Sequence, residues 1–164
     1  MNRPVLIGVM GGGRVDGPTR QRAYQLGELV AENGWCLLNG GRDAGVMAAS
    51  AAGAAERGGL VVGILPGESR AGMAPGVTIP IITGLGSARN SINALSSDVV
   101  VACPGGAGTL SEIALALKTG TPVITLGFSL IPPAGIELDT ARLFSAAEPG
   151  AVIRLIKELL LSAG

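Results

Sequence analysis

Apolar residues in this chain fall into short runs of strand length, separated by longer stretches in which they recur every third or fourth position. Val5–Met10 is such a run. It is followed by Gly11-Gly12-Gly13 and then, from about Thr19 to Asn33, by Ala23, Leu26, Leu29 and Val30 at helical spacing. Gly34 stands where a C′ residue ends a helix. Trp35–Leu38 predicts a second strand, Asn39-Gly40-Gly41 the loop after it, and about Ala44 to Arg57 an alanine-rich helix whose small side chains allow close packing on a sheet. Leu60–Leu65 predicts the third strand, and Pro66 to Gly76 a Pro/Gly-rich loop. Val77–Ile82 predicts the fourth, with Ser87 placed to cap a helix reaching about Ser96. Asp98–Cys103 reads as strand five, Pro104 to Thr109 as the turn into a helix ending near Lys118, and Pro122–Leu126 as strand six. Gly127 to Asp139 reads as a loop, and Pro149 begins a last helix to about Leu161.

Strands that are apolar on both faces and alternate with helices predict a parallel sheet covered on both sides: a doubly wound, Rossmann-like α/β fold. The 164 residues suit one domain spanning 1–164, and no linker, charge block, repeat or low-complexity tract interrupts them. In such sheets ligands sit beyond the carboxyl ends of the strands, near the switch in strand order. The glycine loops after the first, second and fifth strands all fall at that edge.

Composition narrows the chemistry. The chain contains no histidine, which closes an imidazole base, a Ser-His-Asp triad and a histidine-ligated metal, and leaves acid–base work to carboxylates. Its formal net charge is zero, no basic run is present, and the aromatic residues are only Tyr24, Trp35, Phe128 and Phe144, so nucleic acid is not an expected partner. Ten arginines stand against two lysines, Lys118 and Lys157, a balance that favours binding of oxyanions by planar guanidinium groups. Cys36 and Cys103 lie in apolar runs without metal or disulfide spacing and are read as reduced and buried. The N-terminal apolar run is too short for a signal sequence, and no stretch approaches the ~20 apolar residues of a membrane span, which predicts a soluble cytoplasmic protein.

Three loops carry candidate chemistry. Gly11-Gly12-Gly13-Arg14-Val15-Asp16-Gly17 fails as a dinucleotide fingerprint, with Asp16 at the third glycine position and Asn39 ending the second strand; it is either a tight strand-to-helix turn or a phosphate contact. The loop Pro104 to Thr109, with Gly105, Gly106 and Gly108, lets backbone approach a ligand at a helix start, where unpaired N–H groups attract an oxyanion. Glu112 follows, either as a site carboxylate or as the last residue of a capping box, Thr109-Leu110-Ser111-Glu112. Arg89 falls in the first turn of the predicted helix after Ser87, where a cation opposes the helix dipole by ~0.3–1 kcal/mol. A cation against its local preference, at the same sheet edge as Glu112, suggests a site; the alternative is a surface or ion-paired arginine. Arg42 and Asp43 lie at that edge too, as ligand contacts or as solvated loop charges, whereas Asp98 lies at the opposite edge and reads as structural.

Taken in order, Asn39-Gly40-Gly41-Arg42, Gly45-Val46-Met47, Gly63-Ile64-Leu65-Pro66, Thr83-Gly84-Leu85-Gly86-Ser87-Ala88-Arg89-Asn90 and Pro104-Gly105-Gly106-Ala107-Gly108-Thr109-Leu110-Ser111-Glu112 resemble the family long labelled "lysine decarboxylase-like". That family holds the LONELY GUY phosphoribohydrolases and the molybdenum cofactor carrier proteins, and the resemblance runs from about Leu6 to Leu126. In the hydrolases an arginine and the glutamate of PGGxGTxxE cleave a cytokinin nucleoside 5′-monophosphate into base and ribose 5-phosphate. The resemblance maps that pair onto Arg89 and Glu112 and the phosphate onto Gly105 to Thr109. The hydrolases carry Met-His-x-Arg-Lys around the arginine, where this chain has Gly86-Ser87-Ala88-Arg89-Asn90, and a further glutamate one turn after the catalytic one is here Leu115. The Asn-Gly-Gly-Arg and Ala-Arg-Asn wording looks more like the carrier branch, which binds the molybdenum cofactor, a pterin with a phosphate tail.

These readings predict a protein that binds a phosphorylated small molecule, nucleoside monophosphate or pterin, through Gly11, Gly12, Gly13, Gly40, Gly41, Arg42, Arg89, Asn90, Gly105, Gly106, Gly108 and Thr109. The alternative is a phosphoribohydrolase with Arg89 and Glu112 as catalytic residues. Neither reading uses a protein-ligated metal, and pyridoxal phosphate is not expected, since Lys118 and Lys157 fall away from the loop edge. The 48% hydrophobic content predicts a homodimer or a dimer of dimers.

Overall fold

The computed structural model describes residues 3–162. Seven parallel strands form one sheet in the order β4-β3-β2-β1-β5-β6-β7. They are β1 (Leu6–Met10), β2 (Cys36–Asn39), β3 (Val61–Leu65), β4 (Ile79–Ile82), β5 (Val99–Ala102), β6 (Val123–Leu126) and β7 (Leu143–Ala146). Helices α1 (Gly17–Glu32), α2 (Gly45–Glu56), α3 (Asn90–Ser96), α4 (Ala107–Lys118) and α5 (Pro149–Ser162) connect and cover them. This is the expected doubly wound α/β fold, and the strand order changes direction between β1 and β5.

Alternation along the strands divides the core into two layers. Val99 and Val101 face the side of α1, α2 and α5 with Ile7, Val9, Leu37 and Ile124, while Val100 and Ala102 face α3 and α4 with Met10, Leu38 and Val123. Leu26, Val30, Val46 and Ile156 fill the first layer, and Ile113, Ala116 and Leu117 the second. Helix α2 approaches α1 as well as the sheet: a Cβ at Gly27 would strike the carbonyl of Ser50, and one at Gly53 that of Tyr24.

Local chemistry explains where the elements begin and end. Asp16, which spoiled the dinucleotide fingerprint, caps α1 by accepting from the Thr19 N–H at 2.8 Å, so the helix starts at Gly17 rather than near Thr19. Gly34 follows α1 with φ +72° and its N–H donates to the Ala31 carbonyl at 2.9 Å, as its C′ reading requires. Ser87 does not cap a helix: Gly86–Arg89 is a 3-10 turn without a side-chain cap, and α3 follows at Asn90. Trp35, Leu60, Val77 and Thr78 fall outside their expected strands.

The largest addition is β7, between Asp139 and Pro149, a stretch to which the sequence pattern assigned no element. Leu143 and Phe144 are half-buried and Ser145 is exposed, so the apolar signal is short; the strand exists because β6 offers it a free edge, with Ile124 opposite Phe144. Asp98, at the opposite end of the sheet from the glycine loops, is structural as expected. It accepts from the Leu6 N–H at 2.9 Å and holds Arg3, whose hydrogen bonds keep its carboxyl below the ordinary carboxylate range. Cys36 and Cys103 are free and buried; burial pushes the Cys103 thiol up to about 12.

Candidate functional site

The site begins where the strand order reverses. Met10 lies opposite Ala102, and the pairing continues beyond the strands: the Cys103 N–H donates to the Met10 carbonyl at 2.8 Å, and the Gly12 N–H to the Pro104 carbonyl at 3.0 Å. The loops Gly11–Gly13 and Pro104–Gly106 are thereby held side by side. From the other direction the Val46 N–H donates to the Gly12 carbonyl at 3.0 Å, with Gly45, at φ +49°, so close to that carbonyl that a Cβ would collide.

These contacts enclose a cavity of about 190 Å³ lined by Val9, Met10, Gly11, Gly12, Gly13, Gly40, Met47, Arg89, Asn90, Gly106, Gly108, Thr109 and Glu112. Ten of the residues singled out in the sequence therefore meet in one place. Gly41, Arg42 and Gly105 do not line it. Gly41 is buried against Gly63 with its N–H on Asn39 Oδ1 at 2.8 Å, and Arg42 is exposed, its backbone bridged to Met73. Gly105 packs between Gly12 and the Thr109 side chain and borders a second, apolar recess of about 330 Å³ with Leu110, Ile113, Phe128 and Leu130. Gly106 and Thr109 belong to both spaces. Lys118 ends α4 and Lys157 lies in α5; neither lines the cavity.

Val9, Met10 and Met47 also line the cavity and were not anticipated. Val9 and Met10 looked like ordinary strand residues. Met47 stood within Gly45-Val46-Met47, and its place near the start of the helix expected after Gly40-Gly41 was the available signal.

Arg89 is half-buried and closes the 3-10 turn rather than opening a helix. Its Nη1 donates to the carbonyls of Gly40 at 2.9 Å and Ile64 at 2.8 Å, at the carboxyl ends of β2 and β3. A Cβ at Gly40 would press on Nη1 and on the Met47 sulfur, so both side chains would have to shift to admit it. The Arg89 Nε is buried without a partner, and among the described residues no ion pair forms on this guanidinium. Burial lowers its pKa, with Glu112 opposing and Arg42 adding to the shift. An arginine in this setting stays charged, and its remaining donors are available to an anion.

Glu112 does not form a capping box. Gly106 is the N-cap of α4 and no side chain caps the helix, so Thr109 is already its third residue and Glu112 its sixth. The Glu112 side chain is buried and accepts from Asn93 Nδ2 at 2.7 Å. Burial pushes its carboxyl above the ordinary range; the Asn93 hydrogen bond and the Arg89 charge pull it back in part. Asn90 Nδ2 donates to Ser111 Oγ at 2.8 Å and to the Gly108 carbonyl at 3.4 Å, tying α3 to the first turn of α4 and the residue after it. That first turn brings its unpaired N–H groups to the cavity, lined here by Gly106, Gly108 and Thr109. The arrangement offers an oxyanion a helix start and a guanidinium, and offers the rest of a ligand the Glu112 carboxyl group and the half-buried Met47 side chain.

Residues 4–153 match the model of the SLOG cluster4 family. The fold is similar to that of the molybdenum cofactor binding protein from Rippkaea orientalis, at 44% identity and TM-score 0.87 over 96% of this chain and 98% of that one. It is equally similar to the molybdenum cofactor carrier protein from Chlamydomonas reinhardtii, at 41% identity and TM-score 0.87 over 97% and 99%. Among curated proteins, an uncharacterized protein of Archaeoglobus fulgidus is 50% identical over 131 residues, 80% of this chain and 83% of that one. A probable cytokinin riboside 5′-monophosphate phosphoribohydrolase of Oryza sativa subsp. japonica is 36% identical over 93 residues, 56% of this chain and 38% of the rice protein.

Proposed function

The chain belongs to the SLOG cluster4 family, and from that premise we propose that it binds a phosphorylated small molecule as a carrier does, the molybdenum cofactor being the ligand that its relatives favour. The observation that carries this reading is the convergence of Arg89 and the first turn of α4 on one cavity at the strand-order switch. Gly11, Gly12, Gly13, Gly40, Asn90, Gly106, Gly108 and Thr109 line that space, Gly41 and Gly105 pack beside it, and Arg42 adds positive charge near Arg89.

A volume of about 190 Å³ is below the ~300 Å³ at which pockets begin to enclose drug-sized ligands, so it suits a phosphate and its neighbouring atoms, with the ring system extending over the mouth. The ligand is held by its organic part. Among the described residues no group of His, Cys, Asp or Glu converges on a metal position. No helix among the described residues is long and apolar enough to cross a membrane. In this proposal the protein works in the cytoplasm as one domain, residues 1–164, and associates as a homodimer or a dimer of dimers. The exposed Ile79, Ile81 and Ile82 of edge strand β4 support that association.

Titration of the purified protein with molybdenum cofactor and with AMP tests the reading. Saturable binding of at least one, weakened by Arg89→Ala, is expected; no binding of any phosphorylated ligand would sink it. A second reading, hydrolysis of a nucleoside 5′-monophosphate, is favoured by one observation, that Glu112 faces the cavity with Arg89 instead of capping its helix. Ribose 5-phosphate would then be released by the wild type and not by Glu112→Gln.

A further inference from the structure

Helix α3 carries the sequence Asn90-Ser91-Ile92-Asn93-Ala94-Leu95-Ser96 and no ionisable residue. Its face toward α4 joins the apolar layer through Ala94, yet it also buries Asn93 completely. A buried amide atom left without a hydrogen-bond partner costs stability, so an apolar residue would serve packing better. Asn93 pays that cost: its Oδ1 is buried and has no partner, while its Nδ2 donates at 2.7 Å to Glu112 Oε1. Its backbone carbonyl accepts from Ser97 Oγ at 2.7 Å, which fixes the end of α3 beneath the amide.

We propose that Asn93 is a positioning residue: it holds one oxygen of Glu112, so that this carboxyl keeps a fixed direction at the cavity wall and a set affinity for its proton. The assignment deepens the ligand-site reading above, since it concerns the one carboxyl side chain that lines that cavity among the described residues. Glu112 lies in the middle of α4, where straight-chain rotamers are loosely restricted, and no ion pair to Arg89 fixes it. The amide of Asn93 is its one side-chain hydrogen-bond partner among the described residues.

The charged groups around Glu112 are few enough to make the effect readable. α3, β5 and β6, which pack on α4, and β1, which lines the cavity beside it, carry no ionisable side chain, and from the 3-10 turn only Arg89 acts on it; Arg42 acts on Arg89 in turn. An N–H donated to a carboxylate favours its charged form. Removing the donor while leaving the burial must therefore move the Glu112 midpoint upward.

The test is a carboxyl 13C NMR titration of the ligand-free full chain, with the Glu112 signal assigned by its loss in Glu112→Gln. The wild-type midpoint is expected above the ordinary glutamate range, and Asn93→Leu, close in volume and without an amide, is expected to raise it further. Asn93→Ala is the second variant, and Asn93→Gln should restore the wild-type midpoint in part. Unchanged titration in folded Asn93→Leu or Asn93→Ala would overturn the proposal, as would loss of folding in both, which would make Asn93 a residue of the fold alone. Because no ligand is present, failure here leaves the binding titrations untouched, and failure of binding leaves this result standing.

Discussion

Arg89 Nη1 donates to the carbonyl oxygen of Gly40 across 2.9 Å, joining two residues that are 49 positions apart in the chain. Backbone dipoles at the carboxyl ends of β2 and β3, rather than a carboxylate, hold the cation. The guanidinium therefore reaches the cavity with its charge not cancelled by a neighbouring ion pair.

Gly40→Ala should displace that guanidinium, because the new Cβ would clash with Nη1 and with the Met47 sulfur. A charge-assisted hydrogen bond contributes ~1.5–3 kcal/mol, so ligand affinity is expected to fall at least about tenfold. Isothermal titration with the phosphorylated ligand reads this, with circular dichroism showing the fold intact. Wild-type affinity in a folded Gly40→Ala would contradict it.

Arg89→Lys keeps the charge and loses the fork. A lysine ammonium is a point charge on a flexible stem, and it cannot keep two strand-end carbonyls and a ligand oxyanion in one rigid plane. Affinity should drop by about the same order as in Arg89→Ala, and a difference of less than about threefold between Arg89→Lys and wild type would show that charge alone suffices.

Asp98 makes stability depend on acid. Hydrogen bonds from Arg3 and the Leu6 N–H lower its folded-state pKa, so its contribution is present in full above the unfolded-state value, ~3.9, and is lost as the pH falls through the lower folded value. Urea unfolding between pH 6 and about pH 2 should show wild type losing stability more steeply than Asp98→Asn. Parallel curves would remove Asp98 as the source.

Glu112 has the opposite sign. Its folded-state pKa is raised by burial, so its contribution is complete below the unfolded-state value, ~4.3, and is lost as the pH rises through the folded one. Glu112→Gln should be at least as stable as wild type at neutral pH and should flatten this limb of the pH profile. A Glu112→Gln variant that is strongly destabilised at neutral pH would show that the ionised carboxylate supports the fold.

Much of this was legible in the chain. Runs such as Asp98–Cys103 declared buried parallel strands, and Gly11–Gly13, Gly40–Gly41 and Gly105–Thr109 marked the sheet edge that holds the cavity, because a crevice opens beyond the carboxyl ends of parallel strands where their order reverses; Gly41 and Gly105 lie beside that cavity rather than in its wall. Glu112 was not decidable, since a capping box and a site carboxylate are written with the same letters. β7 and the role of Met47 were hidden because a half-buried edge strand and a helix-start methionine carry weak patterns.

The sequence by itself determined the alternation of strands and helices, the sheet edge used, the absence of imidazole chemistry and the excess of arginine over lysine, because these follow from residue type and local spacing. Tertiary structure alone decided that α4 starts at Ala107, which frees Glu112 from the cap, and that α3 brings Asn93 to it. It also decided that Arg89 turns back onto Gly40 and Ile64. Each of these joins residues from separate elements, and their distances are set by how the helices pack on the sheet, which no local pattern records.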